Sequence, residues 1–137
     1  MNIRRLVAED YHKGYLELLS QLTTVSEISF EQFSEQLKRM SEHVYVMESG
    51  QKIIGTGTLL LEAKIIHQCG WVGHIEDIVI DQDHRGQHLG AQMIKYLVQI
   101  AKNAGCYKVI LDCAESNESF YQKCHFSRKG IEMAQYF

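Results

Sequence analysis

The segment from His74 to Gly90 constrains most strongly what this chain can fold into. Its sequence is HIEDIVIDQDHRGQHLG, in which an apolar strand over Ile75 to Ile80 carries two acids and a glycine-bearing turn follows. The turn leads directly into an amphipathic helix, so unpaired backbone N–H groups and the positive end of the helix dipole point to one place. The segment therefore predicts an anion site between a strand and a helix.

The glycine pattern of this turn differs from two better known phosphate loops. No Gly-Lys-Ser/Thr follows at the spacing of a nucleotide-binding P-loop, and the full GxGxxG of a dinucleotide-binding fold is absent. On spacing alone, a purely structural turn fits about as well as a binding loop.

Composition favours one globular domain over residues 1–137. The chain is 45% hydrophobic, which is enough for a core, and no linker composition marks a boundary. Its 14 basic and 17 acidic residues give a net charge of −3, so it lacks the basic excess of a nucleic-acid binder. No apolar stretch has the length of a signal peptide or a membrane span.

The four cysteines have no metal-binding or disulfide spacing. Cys69, Cys106, Cys113 and Cys124 form no CxxC pair, so we predict buried free thiols and no metal. Free thiols favour a reducing, cytoplasmic setting.

The rest of the chain predicts alternating helices and strands. Before the central segment we expect a strand over Ile3 to Val7, a helix with an apolar face of Tyr11, Tyr15, Leu18, Leu19 and Leu22, a helix capped by Ser29 and Gln32, hairpin strands over Val44 to Glu48 and Ile53 to Leu61, and a short extended piece over Lys64 to His67. After it we expect a helix ending before Gly105, a strand over Tyr107 to Cys113 buried on both faces and parallel to the Ile75 strand, a helix over Asn117 to Lys123, and a strand over Ile131 to Phe137. The architecture is mixed α/β with a βαβ unit.

Two motifs resemble the GNAT superfamily of N-acetyltransferases. Arg85 to Gly90, RGQHLG, resembles its pyrophosphate loop, and Asn117 with the FYQK that begins at Phe120 resembles its second signature. The sequences GHIEDIVI, GCYKVILDC, SFYQKCHF and LTTV resemble more narrowly the members that acetylate glucosamine 6-phosphate on the route to UDP-N-acetylglucosamine. The resemblance implies an α/β fold of the α+β kind: a mostly antiparallel mixed sheet, flanking helices and one splayed parallel strand pair. It also implies acetyl-CoA as co-substrate.

The resemblance implies roles for cofactor and catalysis. The backbone of Ile78, Val79 and Ile80 would bind the pantetheine arm, Asn117 would also contact the cofactor, and the pyrophosphate would lie on backbone N–H groups of Arg85, Gly86, Gln87, His88, Leu89, Gly90 and Ala91. Tyr121 would lie near the thioester sulfur and protonate the leaving thiolate, and the Asp112 carbonyl would orient the amine. Attack would be direct, within a ternary complex and without an acyl-enzyme.

The same resemblance implies the acceptor contacts. Glu76 and Asp77 would contact the amino sugar, and the remaining sugar-phosphate contacts would come from Thr23, Lys64, His67, Tyr107 and Lys108. Without the resemblance, strand acids and single lysines are typical of a solvated surface. Adjacent strand residues also face opposite sides, so both acids reach one pocket only if a bulge redirects one of them.

Three residues and the short link from Arg39 to Tyr45, where a substrate-side loop is expected to be missing, depart from the family pattern, and two other functions stay open. His88 and His125 replace glycines, and Tyr136 stands where relatives place an arginine that reaches the phosphate. The resemblance also implies a homodimer whose C-terminal segments help complete the neighbouring site. The alternatives are the same fold acting on another amine, such as an aminoglycoside or a peptide, and an acetyl-CoA sensor without turnover.

Overall fold

A five-stranded sheet with strand order β1-β2-β3-β4-β5 organises the chain. The structure is a computed structural model that describes residues 2–40 and 43–137, so the link from Arg39 to Tyr45 lies partly outside the described residues. Its strands are β1 (Ile3–Arg5), β2 (Val44–Ser49), β3 (Lys52–Ala63), β4 (Trp71–Ile80) and β5 (Cys106–Ile110). Its helices are α1 (Tyr15–Leu19), α2 (Phe30–Arg39), the short turn α3 (Ile66–Cys69), α4 (Leu89–Asn103) and α5 (Glu118–Lys123), with 3-10 turns at Ala8–Lys13, Gln82–His84 and Glu115–Asn117.

The sheet is antiparallel except for its last pair. β1 to β4 pair antiparallel with their neighbours, whereas β4 and β5 are parallel and are joined through α4. A parallel pair needs such a crossover, which confirms the predicted βαβ unit and the mixed fold class.

Helices cover both faces of the sheet, and the alternation of β2 shows how. Val44 and Val46 are buried in a cluster with Leu18 and Phe33 from α1 and α2. Tyr45 and Met47 are buried in the second cluster, which is formed largely by α4. Because successive strand residues face opposite sides, β2 lies between two apolar layers.

The N-terminal helical region confirms one prediction and divides another. Ser29 accepts a hydrogen bond from the Gln32 N–H, and the Gln32 side chain accepts from the Ser29 N–H, as the capping box predicts. The single helix predicted around Tyr11 is wrong. It is a 3-10 turn and α1 separated by Gly14, whose φ of 81° ends a right-handed helix.

The extended piece predicted over Lys64 to His67 is also wrong. The chain forms the turn α3 there, in which His67, Gln68 and Cys69 all have positive φ. The Lys64 N–H donates to the Gly70 carbonyl, which closes the connection between β3 and β4. The hydropathy pattern gives no sign of three consecutive left-handed residues, which are costly for side chains with a Cβ.

The C-terminal strands differ from the prediction in burial and extent. β5 ends at Ile110, and its side chains of Tyr107 and Ile110 are 36% and 38% exposed. Within the described part of the chain β5 pairs only with β4, so it is an edge strand and its apolar sequence is not buried on both faces. The strand predicted over Ile131 to Phe137 is wrong, because this tail has no regular secondary structure and its apolar side chains are almost fully exposed.

Two further predictions concern the cysteines and membrane-spanning helices. All four cysteines are free as predicted, but the prediction of burial is wrong, since Cys69 and Cys113 are exposed and Cys106 and Cys124 are half-buried. No helix among residues 2–40 and 43–137 is long and apolar enough to cross a membrane.

Candidate active site

A bulge in β4 lies at the centre of the candidate site. Thr58 pairs with Glu76 and Thr56 pairs with Val79, so Gly57 alone faces the two residues Asp77 and Ile78. Asp77 takes up the extra residue with a φ of 53°. A Cβ on Gly57 would lie 2.6 Å from the Ile78 side chain, so the glycine makes room for this bend.

β4 and β5 stop pairing just before the bulge. Their parallel pairing ends at His74 and Ile110, and the described residues show no further pair between these strands. A cleft of ≈ 570 Å³ lies along this side of the sheet. The predicted splayed pair is therefore present, and the β5-facing edge of β4 from Ile75 to Ile80 has no strand partner there.

The cleft collects several of the predicted site residues. Glu76, Lys108, Asp112 and Tyr121 all line it, and the tail after α5 contributes Arg128 and Glu132. Asp112 lies two residues past the end of β5, so its carbonyl belongs to a segment without regular secondary structure, not to a strand as predicted. Asp77 is exposed and lies outside the lining, so the bulge does not bring both acids into this cleft.

Glu76 is surrounded by like charge. Desolvation of the side chain raises its pKa, and the neighbouring carboxylates of Asp77, Asp112 and Glu132 raise it further, while His74 opposes them. Such a carboxylate gains stabilisation from a cationic ligand that relieves the repulsion. The cleft is therefore suited to an ammonium group.

Tyr121 presents a protonated hydroxyl to the same cleft. The ring is half-buried and has edge contacts with Phe120 and Phe126, at centroid distances of 4.9 and 6.2 Å. Burial raises the pKa of the Tyr121 phenol, with smaller contributions from Cys113 and Cys124. The hydroxyl keeps its proton at neutral pH and can act as a donor.

The loop before α4 has the geometry expected of an anion site. The first helical hydrogen bond runs from the Gln92 N–H to the His88 carbonyl, so the N–H groups of Leu89, Gly90 and Ala91 have no partner within the helix. Gly86 and His88 have positive φ values of 83° and 61°. His88 thus keeps the left-handed backbone of the glycine it replaces, at some cost in strain.

The remaining predicted residues lie around the cleft and the loop before α4, or apart from both. His67 stacks on Tyr107 at 4.0 Å, Lys108 lies 5.8 Å over the same ring, and Lys64 pairs with Glu62 at 3.5 Å. His74 joins this group to the cleft, because it contacts Glu62 and lines the cavity. Thr23 and Asn117 are exposed and lie outside the cleft lining, and His125 has the positive φ of 73° that its glycine position requires.

Sequence reasoning missed a buried acid at the start of the loop. Asp81 follows β4 directly, is 1% exposed and accepts hydrogen bonds from Gln21, Lys52 and His84. The bonds from Gln21 and His84 hold the pKa of this carboxyl well below its usual range, although burial opposes them. The sequence around Asp81 shows only a charged residue at the end of an apolar strand. It does not indicate burial, because the partners Gln21 and Lys52 are distant in sequence.

Comparison with known proteins supports the resemblance. The model of the acetyltransferase (GNAT) family matches residues 3–126. The glucosamine 6-phosphate N-acetyltransferase of Arabidopsis thaliana is 41% identical over 142 residues, which cover 98% of this chain and 95% of that protein. Glucosamine 6-phosphate N-acetyltransferase 1 of Dictyostelium discoideum is 44% identical over 143 residues, covering 99% of this chain and 90% of the relative.

The fold leads to the same conclusion. The crystal structure of the Arabidopsis thaliana glucosamine-6-phosphate N-acetyltransferase matches with a TM-score of 0.96 at 40% identity, and it covers 99% of this chain and 97% of that one. The family match, the two relatives and the shared fold confirm what the RGQHLG loop and the second signature predicted. The chain belongs to the acetyltransferase (GNAT) family.

Proposed function

We propose that this chain transfers the acetyl group of acetyl-CoA to the amine of glucosamine 6-phosphate, giving N-acetylglucosamine 6-phosphate and CoA. The observation that carries the proposal is the acidic cleft where β4 and β5 stop pairing, because β4 also leads directly into the anion loop. The near full-length similarity to enzymes named for this substrate supports it.

The cofactor would occupy the splay. Residues 85–91 bring the N-terminus of the fifteen-residue helix α4 to the pyrophosphate, where its partial positive charge favours an anion. The unpaired edge of Ile78 to Ile80 offers backbone groups to the amides of the pantetheine arm. The thioester would then lie between the bulge and Tyr121.

The acceptor amine would enter on the acidic side. Glu76 attracts the ammonium form, which releases one proton to water before it reacts. The Asp112 carbonyl accepts a hydrogen bond from the neutral amine and directs its lone pair. The nitrogen forms a bond to the thioester carbonyl carbon while a backbone N–H near Ile78 stabilises the oxyanion. The C–S bond breaks, the thiolate takes the proton of Tyr121, and the surplus proton on nitrogen returns to the phenolate.

The sugar phosphate would bind to cationic side chains around the cleft. Lys108 lines it, and Lys64 and His67 lie on the neighbouring β3–β4 connection. Tyr136 cannot replace the charge of an arginine, and its side chain is exposed on the tail. We therefore assign the phosphate to Lys64, His67 and Lys108.

A thiol-release assay over a panel of amines tests the proposal. We expect turnover with glucosamine 6-phosphate and much less with glucosamine, an aminoglycoside or a lysine peptide, because only the first combines an amine with a phosphate. Preferred turnover of another panel member would move the chain to that substrate. Binding of acetyl-CoA without turnover of any amine would identify a sensor.

We further propose that the active form is a homodimer. The tail side chains of Ile131, Met133, Tyr136 and Phe137 are 91% to 114% exposed, and β5 has an open edge. Apolar side chains and an open strand edge both gain from a second copy of the chain. Light scattering should give a dimer for residues 1–137 and a monomer after truncation at Gly130; a monomeric full chain would contradict the proposal.

The cellular setting follows from the thiols. Two of the four free cysteines are exposed, and an oxidising compartment would modify them. We propose a cytoplasmic location, which fractionation of the source cells would test; recovery in a secreted fraction would contradict it.

A further inference from the structure

The start of the pyrophosphate loop is held by a bridge to the segment that follows α1. The Gln21 amide nitrogen donates to Asp81 at 2.8 Å, and its amide oxygen accepts from the Gln82 N–H at 2.9 Å. One side chain therefore fixes the last buried residue before the loop and the first residue of its 3-10 turn. The nitrogen and the oxygen of the Gln21 amide each make a hydrogen bond, so exchanging their positions would break both bonds.

Asp81 collects further contacts around the same point. Its carboxylate accepts from His84 at 2.9 Å and from Lys52 at 3.2 Å, and its backbone N–H donates to the Ile54 carbonyl at 2.7 Å. The His84 N–H donates to the Asp81 carbonyl and closes the turn that precedes Arg85. A buried carboxylate with this many donors holds the loop in one conformation.

The other end of the bridge lies on the predicted acceptor side. The Gln21 N–H donates to the Leu18 carbonyl, and the Thr23 N–H donates to the Leu19 carbonyl at 3.2 Å, so both residues belong to the last turns after α1. Thr23 is one of the predicted sugar contacts. The Gln21 side chain is the link between that segment and the cofactor loop.

We propose that Gln21 and Asp81 are positioning residues that pre-form the pyrophosphate loop for acetyl-CoA. The inference rests on the proposed use of acetyl-CoA but does not depend on which amine is acetylated. Gln21 is exposed, so its truncation opens no cavity in the core. Its loss should act on cofactor affinity more than on folding or on the chemical step.

The test compares Gln21→Ala, Gln21→Glu and the control Gln99→Ala, whose exposed side chain bonds only to Asn103 at 3.0 Å on the outer face of α4 among the described residues. Kd for CoA is measured by calorimetry, kcat and the acetyl-CoA KM by thiol release, and unfolding by thermal melting. Gln21→Ala should raise Kd and KM roughly fivefold to thirtyfold for two lost hydrogen bonds, with kcat within about twofold. Gln99→Ala should change none of them.

The glutamate variant separates positioning from packing. It is nearly isosteric with glutamine, but it places a carboxylate against Asp81 and removes the donated hydrogen bond, so its Kd for CoA should exceed that of Gln21→Ala. An unchanged Kd in both Gln21 variants, or equal losses in Gln99→Ala, would overturn the proposal. A wild-type protein that binds CoA but acetylates no glucosamine 6-phosphate would remove the proposed function and leave the Kd comparison decisive for the bridge.

Discussion

Two carboxylates on the same stretch of chain have opposite surroundings. Asp81, at the end of β4, is buried and accepts hydrogen bonds from Gln21, Lys52 and His84, which lower its pKa. Glu76, next to the bulge, is within electrostatic range of the carboxylates of Asp77 and Asp112, and desolvation and their charge raise its pKa. One acid already has the partners that it needs, and the other gains them only from a ligand.

Under the proposed function, the difference separates a structural acid from one that would bind the acceptor amine. The cofactor side of β4 is completed by this chain, because the loop, α4 and the Asp81 contacts are all in place. The proposed acceptor side is open: among residues 2–40 and 43–137 β5 pairs only with β4, the tail is exposed, and the cleft is acidic. Under the proposed function, the binding energy of the substrate is used at Glu76, where like charge raises the pKa in the free protein.

The largest expected effect lies at Tyr121. Tyr121→Phe removes the proton donor and should lower kcat roughly 100-fold to 10,000-fold, with the acetyl-CoA KM little changed, because the ring still packs between Phe120 and Phe126. The control is Tyr96→Phe, a half-buried tyrosine on α4 that contacts Tyr45. Steady-state kinetics in both variants check this, and equal kcat for Tyr121→Phe and wild type would remove the acid role.

A smaller effect is expected at Glu76. Glu76→Gln keeps the shape but loses the charge that attracts the ammonium, so kcat/KM for glucosamine 6-phosphate should fall roughly 10-fold to 100-fold. The CoA affinity should stay at the wild-type value, because the anion loop is separate. Unchanged kcat/KM would show that the acidic cleft does not receive the amine.

Substitution of Asp81 should lower the stability of the folded protein. Asp81→Asn weakens the buried bonds to Lys52 and His84, so the free energy of unfolding should fall by about 1.5–3 kcal/mol. Chemical denaturation of the free protein measures this. A variant as stable as wild type would mean that Asp81 is not the structural acid of the pair.

The pH dependence should separate the two acids by sign. The folded pKa of Asp81 lies below the unfolded value of about 3.9, so its stabilisation is present above that pH and is lost as pH falls through the folded pKa. The folded pKa of Glu76 lies above the unfolded value of about 4.3, so its ionisation destabilises the fold as pH rises through the folded pKa. Glu76→Gln should therefore be slightly more stable than wild type at pH 7, by no more than about 0.5 kcal/mol because the side chain is exposed. Denaturation curves from pH 3 to 7 check both signs, and a less stable Glu76→Gln would contradict the contrast.

The sequence predicted the parts of the fold that depend on local chemistry. The strand, turn and helix from His74 onward are adjacent in sequence, and the capping box at Ser29 needs only residues within one turn. The prediction of the cleft residues Glu76, Asp112 and Tyr121 came from the family resemblance, since no local pattern joins residues so far apart.

The break at Gly14 was visible in the sequence, but other failures have a cause in long-range structure. The apolar sequence from Tyr107 indicated burial, but burial depends on which strand lies beside β5, and only β4 does so among the described residues. The turn at His67 also has a distant neighbour, because its ring stacks on Tyr107, and Asp81 has one in Gln21. Local patterns do not contain that information.

The most direct test of the central claim is identification of the product by NMR and mass spectrometry after incubation with acetyl-CoA and glucosamine 6-phosphate. The account predicts stoichiometric CoA and an acetamide on the sugar nitrogen, formed at a much lower rate by Glu76→Gln and Tyr121→Phe. Unmodified glucosamine 6-phosphate, recovered with wild-type protein that binds CoA normally, would contradict it.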